Sequence, residues 1–209
     1  MMDKEYKLNE IISETRQLFQ RYGIKSITME ELSRQLGISK KTLYQHFTDK
    51  NDLVEKTLVS MMSEKECSMK EIYDKDLNAV EEVFEMFRLA NEMIRNHNPS
   101  LEFDLQKFYP QIFKRLRDFH RNNIYESTLN NLKKGKDEGY YRKDLNEEII
   151  AKLFVIRIEN LMHTDMLTSE DIHSDKFFKE VFKYHMYGIS SPLGLQFIQS
   201  KYQEFLTNE

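Results

Sequence analysis

Hydrogen-bonding side chains are concentrated in the short stretch between Ser39 and Phe47. Hydroxyl, amide, imidazole and ammonium groups follow one another there, in Lys40, Lys41, Thr42, Tyr44, Gln45 and His46. Leu43 and Phe47 are four residues apart, so on a helix they share the buried face and leave these groups outward. Ammonium groups neutralise phosphate, and an amide can bond bidentately to adenine in the major groove. The stretch therefore predicts a helix that reads DNA.

A second predicted helix precedes this one and meets it at a tight turn. Thr28 and Glu31 have the spacing of a capping box, in which the hydroxyl accepts from a backbone N–H of the first turn. Gly37 can adopt the left-handed conformation that ends a helix, and Ser39 can cap the next helix. The arrangement is that of a helix-turn-helix, although these residues alone also allow a plain turn between helices of an all-helical protein.

The same residues resemble the N-terminal pattern of the tetracycline-repressor-like (TetR) bacterial regulators. The pattern is carried by Phe19, Tyr22-Gly23, Thr28, Gly37-Ile38-Ser39, Leu43-Tyr44-Gln45-His46-Phe47, and Lys50 with Leu53. Ser33 and Arg34 depart from it, since the family usually has Ala and a small or polar residue there. The resemblance covers roughly the first quarter of the chain. The residues predicted to contact DNA are Thr28, Lys40, Lys41, Thr42, Tyr44, Gln45, His46 and Lys50.

The composition predicts an almost wholly helical chain. Its 209 residues include only 6 Gly and 3 Pro, which is little turn chemistry for a many-stranded sheet. We predict an all-α protein with an N-terminal three-helix helix-turn-helix DNA-binding domain, residues 1–50. Residues 51–209 are expected to form a larger C-terminal helical domain for ligand binding and dimerisation. Asp49 is predicted to cap the helix that joins the two.

Catalytic, metal and cofactor sites are not indicated by the sequence. His163 and Asp165 are neighbours but lack the His-x-x-x-His or Glu-x-x-His spacing that puts metal ligands on one helix face. Cys67 is the single cysteine, which excludes a disulfide framework and a Cys-x-x-Cys zinc site. We therefore expect a regulator and not an enzyme, with no cofactor and no metal. No stretch approaches the ~20 apolar residues that span a bilayer, so a soluble, cytoplasmic protein is expected.

The net charge of −4 is unevenly divided along the chain. Residues 1–60 carry 10 Lys and Arg against 9 Asp and Glu, and the acidic excess lies in the remaining residues. DNA binding depends on a few phosphate contacts on one face and not on the overall charge. The acidic total is therefore compatible with a double-stranded DNA partner.

Two apolar stripes run along the helix expected after the Asp144 and Glu147 capping box. One stripe contains Ile149, Leu153, Ile156 and Asn160, and the other contains Ile150, Phe154, Ile158 and Leu161. A helix that is apolar on two sides needs two packing partners. One is the domain core, and the other is a second copy of the chain or a further helix of the same core. The family resemblance implies the second copy, a homodimer through helices in 145–186 that binds a palindromic operator. The substitution Phe154→Glu or Phe178→Glu is then expected to give monomers.

The middle of the chain is rich in soft apolar side chains. Residues 61–187 hold 8 of the 11 Met and 10 of the 14 Phe, a mixture that fills a core or adapts to an apolar ligand. The resemblance implies a ligand pocket here, with Phe84, Phe87 and Phe113 in its wall and Arg157 as a polar anchor. The leading interpretation is a repressor released by a small apolar or aromatic effector. The alternative is a DNA-bound interaction protein whose C-terminal domain recruits a protein partner.

Overall fold

The chain forms a succession of α-helices. The computed structural model describes residues 2–95, 98–161, 164, 166–172 and 174–207. Within those ranges there are eleven helices: α1 (Met2–Tyr22), α2 (Met29–Gln35), α3 (Lys40–Tyr44), α4 (Lys50–Tyr73), α5 (Ala79–Arg95), α6 (Pro99–Phe108), α7 (Pro110–Asp137), α8 (Glu147–Leu161), α9 (Ser169–Ile172), α10 (Asp175–Ile189) and α11 (Pro192–Thr207). The predicted all-α class is confirmed. None of the described helices combines the length and the apolarity that crossing a bilayer requires.

By packing, the chain divides into two compact units. Unit 1 comprises Met1–Ser68 and Asn98–Asp118, and unit 2 comprises Met69–His97 and Phe119–Glu209. The predicted domain boundary at residue 50 concerns function and stays a prediction. Packing divides the chain differently because the first half of α4 and all of α6 share one apolar cluster with α1–α3.

The core of unit 1 is built from one apolar face of each of its helices. Its buried residues are Ile11, Ile12, Phe19, Ile24, Ile27, Met29, Leu32, Leu43, Phe47, Leu53, Val54, Leu58 and Leu105. Three short helices alone would bury little apolar surface, and the participation of α4 agrees with that reasoning. Leu105 shows that α6 adds to the same core.

Predicted caps hold the ends of the short helices of unit 1. The Thr28 hydroxyl accepts from the Glu31 N–H at 3.0 Å, and the Asp49 carboxylate accepts from the Asp52 N–H at 2.9 Å. Gly37 has the left-handed φ of +63°. The reciprocal half of the predicted box at Thr28 was wrong, because the Glu31 carboxylate accepts from Arg34 and Gln35 instead.

Unit 2 packs α5, α7, α8, α10 and α11 around an aromatic core. Phe84 and Phe87 of α5 lie against Phe182 of α10, with ring centroids 5.1 and 4.7 Å apart. Tyr141 is only 1% exposed, and its hydroxyl donates to the Asn131 side chain at 2.9 Å. A Cβ on Gly135 would lie 2.1 Å from the Tyr141 ring. Gly135 is therefore required for close packing inside α7, which continues to Asp137.

The start of α8 also differs from the prediction. The Asn146 side chain accepts from the Ile149 N–H at 3.0 Å, so Asn146 caps this helix and Asp144 does not. Asp144 lies outside α8, 3.8 Å from Arg142 in an exposed ion pair. The short helix α9 was not predicted, because four residues carry no helical repeat.

Candidate nucleic-acid interface

Two fully buried side chains, Leu43 in α3 and Phe47 just after it, hold α3 against the core of unit 1. Leu43 is 0% exposed and Phe47 is 1% exposed. The Ser39 hydroxyl caps the helix by accepting from the Thr42 N–H at 3.0 Å. The orientation of α3 is therefore fixed by its core side and by its N-terminus, which leaves its other face to solvent.

The outward face of α3 carries most of the predicted DNA-contacting groups. Tyr44 is 51% exposed, and Lys40, Lys41 and Gln45 are exposed as well. The Lys40 ammonium lies 2.8 Å from the Glu30 carboxylate of α2, and its hydrogen bond lowers the pKa of Glu30. An exposed ion pair of this kind is worth little, so a DNA phosphate can displace Glu30 at small cost.

Three of the predicted DNA-contacting groups make bonds within the chain. The Thr42 and Ser39 hydroxyls lie 2.8 Å apart, and the Thr28 oxygen is used in the cap of α2. His46 is partly buried with its ring tilted against Phe47, and its carbonyl accepts from the Lys56 ammonium at 3.0 Å. These groups shape the turn as well as facing outward.

Lys50 has a different environment from the one expected at a helix start facing DNA. Its ammonium donates to the Ile24 carbonyl at 2.7 Å, and burial lowers the pKa of Lys50 while nearby Asp104 raises it. A phosphate contact by Lys50 stays a prediction, and forming it would require this bond to be given up. Lys41 is the better candidate for phosphate neutralisation.

The sequence of the helix-turn-helix agrees with a known family. Residues 11–57 match the family model described as "Bacterial regulatory proteins, tetR family". These residues form a DNA-binding domain of the TetR family of transcriptional regulators. The match covers α1 to the first turns of α4, which are the elements that position the exposed face of α3.

Relatives that match a longer part of the chain are described as transcriptional regulators. "Uncharacterized HTH-type transcriptional regulator YvaF" of Bacillus subtilis is 27% identical over 148 residues, covering 69% of this chain and 75% of its own. The repressor KstR2 of Mycobacterium tuberculosis is 23% identical over 149 residues, covering 68% and 73%. A solved transcriptional regulator from Cytophaga hutchinsonii gives a TM-score of 0.70 at 21% identity and covers 88% of this chain and 99% of its own. At that identity the solved structure establishes the shared fold.

The loop before α2 is held by a residue that sequence reasoning missed. Asp104 of α6 is 9% exposed, and its carboxylate accepts from the Lys25 N–H at 2.7 Å. Gly23 has a φ of +76°, and a Cβ there would lie 2.9 Å from an Asp104 oxygen. Asp104 and Lys50 thus bond to the N–H and the carbonyl of the same peptide group, between Ile24 and Lys25, in the loop that leads to the Thr28 cap. No local pattern could reveal this, since Lys25 and Asp104 are 79 residues apart in sequence.

Replacing Asp104 by Ala is expected to weaken operator binding and to lower the free energy of unfolding by about 1–3 kcal/mol. The change leaves a partly buried N–H without the Asp104 acceptor and removes the carboxylate whose charge raises the pKa of Lys50. Asp104→Asn keeps an acceptor, so its operator affinity and its free energy of unfolding should lie between those of the wild-type and Asp104→Ala proteins. Urea unfolding and DNA titration measure the effects, with the exposed Gln106→Ala on the same helix as control. Equal behaviour of the Asp104→Ala and Gln106→Ala proteins would remove the assigned role.

The four predicted ligand-contacting residues lie in different environments. Phe84 and Phe87 are 6% and 8% exposed in the core of unit 2, whereas Phe113 packs on the core of unit 1. Arg157 of α8 is half-buried, with its guanidinium carbon 5.0 Å from the Phe154 ring centroid. Phe84 and Phe87 are therefore brought together, and Arg157 belongs to a separate cluster of the same unit.

No group of His, Cys, Asp and Glu able to hold a metal is found within the described ranges. Cys67 is exposed. His163 and Asp165 lie outside the described residues.

Proposed function

We propose that this TetR-family regulator is a repressor that binds a palindromic operator as a homodimer and is released by a small molecule. The observation that carries the DNA-binding part is the exposed face of α3 above the buried Leu43 and Phe47. A rigidly seated helix with an exposed amide, phenol and ammonium groups can present them together in the major groove. Cytoplasmic action follows from the need to meet chromosomal DNA.

The dimer is supported by an exposed apolar face on α8 and α10. Ile149, Leu153 and Ile156 are 55%, 56% and 56% exposed, and Tyr184 and Tyr187 are 79% and 48% exposed. A contiguous apolar face of this kind marks an interaction surface. A second copy supplies the same face, which is what a two-fold interface requires. Two reading helices would then meet major grooves one helical turn apart, ~34–36 Å, or a multiple of it.

A small-molecule effector is supported by two observations. A relative with a similar fold is described as the ketosteroid transcriptional regulator KstR2 of Mycobacterium tuberculosis, with a TM-score of 0.57. The core of unit 2 is lined by Phe84, Phe87, Phe178 and Met186, side chains suited to an apolar or aromatic body. Release requires the effector to bind the non-DNA geometry more tightly, by about 1–3 kcal/mol for a typical coupling.

A protein-recruiting function is the second candidate because of an exposed aromatic pair on α6. Phe103 and Phe108 are 57% and 41% exposed, and the Lys107 ammonium lies 5.2 and 5.6 Å from their ring centroids. Exposed aromatic side chains flanked by a cation are suited to a protein contact. A library of apolar compounds that contains no stabiliser of the folded chain would favour this candidate over the effector.

Replacing Gln45 by Ala is expected to reduce sequence specificity. Its exposed amide can bond bidentately to adenine, so the loss should be about 1–3 kcal/mol on the operator and little on scrambled DNA. Lys41→Ala should weaken both duplexes alike and reduce the salt slope by about one unit, since it removes a phosphate contact. The operator is first selected from random duplexes by the wild-type protein, and both variants are titrated at several salt concentrations.

Equal weakening of operator and scrambled duplex by Gln45→Ala would show that this side chain does not read bases. Loss of all DNA binding without loss of helicity in both variants would instead assign them a shared role in docking. The circular dichroism spectrum of each variant serves as the folding control.

A further inference from the structure

The guanidinium of Arg157 has one buried edge without an acceptor. Its Nε and Nη2 atoms are shielded from solvent and make no hydrogen bond within the described part of the chain. These two nitrogens share one edge of the planar guanidinium group, and the N–H bonds along that edge run nearly parallel. This is the edge through which an arginine binds a carboxylate with two hydrogen bonds.

Among the residues that the structure describes, no carboxylate influences the pKa of Arg157. The Phe154 ring centroid lies 5.0 Å from the guanidinium carbon, and the His185 ring lies 4.6 Å from that of Phe154. Desolvation, and secondly the charge of Arg157, lower the pKa of His185 to about 3, so its imidazole is neutral at pH 7. Glu159 is two residues further along α8, but its carboxylate accepts from Arg121 at 2.9 and 3.0 Å.

Burial of a charge without an acceptor is costly, and it is tolerated where function requires it. Burial lowers the pKa of Arg157, and this direction reflects the cost of desolvating its charge. The guanidinium nevertheless remains charged. A carboxylate that reached the Nε and Nη2 edge would remove the penalty. Its hydrocarbon part would meet the Phe154 and His185 rings, which together form an apolar wall.

We propose that the Nε and Nη2 edge of Arg157, between α8 and α10, binds the carboxylate of a small organic acid with an apolar body. The inference rests on the proposed release of DNA by a small molecule and gives that effector a chemical class. Because the two nitrogens are shielded, the acid reaches them only when α8 and α10 move apart. The same helices carry the exposed apolar face, so binding of the acid is coupled to the geometry of that face.

A second copy of the chain is a weaker candidate for the missing acceptor. The shielded edge is already covered by its own chain, whereas the surface offered to a second copy consists of Leu153, Ile156 and Tyr184, each more than half exposed. A small acid between the helices satisfies the buried edge directly. The oligomeric state of an Arg157 variant distinguishes the two.

The test uses the full-length protein with octanoate, and octanamide as the uncharged match. Octanoate is expected to raise the melting temperature of the wild-type protein and octanamide to have little effect. Arg157→Gln is expected to bind octanoate about 10- to 100-fold more weakly, the loss of a charge-assisted bidentate contact. Arg157→Lys keeps the charge without the fork and should also lose most of the affinity. Arg88→Gln, an exposed surface change on α5, is the matched control.

Acetate and acetamide test the edge independently of the shape of the hydrocarbon part. In ¹⁵N spectra of the arginine Nε–H groups, the signal that disappears in the Arg157→Gln protein is assigned to Arg157. Acetate should shift this signal in the wild-type protein, and acetamide should not. Equal responses to acid and amide, or an unchanged octanoate affinity in Arg157→Gln, would overturn the proposal. So would dissociation of the Arg157→Gln protein into monomers in sedimentation, because the acceptor would then come from a second copy.

Operator titration separates this inference from the proposed function. If octanoate binds through Arg157 and releases the operator, both the carboxylate site and the proposed effector function are supported. Arg157-dependent binding that leaves operator affinity unchanged would support the carboxylate site and contradict an effector role. Release by a neutral apolar compound, with no response to either acid, would support the effector function and overturn the carboxylate site.

Discussion

Leu153→Glu is expected to convert the proposed dimer into monomers and to weaken binding to the proposed operator by at least about 100-fold. Leu153 is 56% exposed at the centre of the apolar stripe on α8, so in a two-fold interface the new carboxylate would be desolvated against its own copy. A monomer places one reading helix on DNA and loses the effective concentration that links two half-sites, a factor of about 10²–10⁴. Sedimentation and operator titration measure the two effects.

Leu193→Glu is the matched control for this substitution. Leu193 is 53% exposed but belongs to α11 and not to the apolar stripe on α8. A dimer that persists in folded Leu153→Glu protein would exclude this face of α8 as the interface. The substitution Phe178→Glu does not test the dimer interface, because Phe178 is 7% exposed and its ring centroid lies 4.5 Å from that of Phe87 in the core.

Lys134→Met is expected to lower the free energy of unfolding by about 2–4 kcal/mol. Lys134 lies 2.6 Å from the carboxylate of Glu82, whose side chain is only 6% exposed. Removing the ammonium leaves a buried carboxylate that, within the described ranges of the chain, keeps the Asn131 amide at 2.9 Å as its side-chain donor. The expected loss is below that of a fully buried pair because the Lys134 side chain is 36% exposed. Chemical unfolding measures it.

The double variant Lys134→Met, Glu82→Gln separates the charge from the lost packing. The neutral amide no longer needs a cation, so the double variant should recover much of the stability lost in Lys134→Met. If it does not, the ammonium acts through its 2.6 Å bond to the Leu77 carbonyl and not through the carboxylate. Lys183→Met, which removes an exposed pair with Glu180, should cost under about 1 kcal/mol.

The helix-turn-helix was predictable because its information is local. Thr28, Gly37 and Ser39 act on backbone groups within three or four residues of themselves, and all three have the predicted roles. The spacing of Leu43 and Phe47 likewise determined which side of α3 is buried. Cap and face patterns need no knowledge of the remaining fold.

The ends of longer helices were less predictable, since several residues compete to terminate them. Glycine is common just after the end of a helix, yet Gly135 lies inside α7, where its small size allows the close approach of the Tyr141 ring. Asp144 and Asn146 both precede α8 and both can cap a helix, and only the backbone path selects Asn146. Propensity describes what a residue can do, and tertiary packing decides which use is made of it.

The sequence by itself determined the all-α class, the helix-turn-helix segment and the double striping of α8, because these depend on residue types at helical spacing. Only the tertiary structure decided which α8 stripe is exposed, that Lys50 bonds to the Ile24 carbonyl, and that Asp104 holds the Lys25 N–H. It also decided that the Nε and Nη2 edge of Arg157 is buried without an acceptor. Each of these depends on contacts between segments far apart in the chain, and no spacing rule encodes which distant side chains meet.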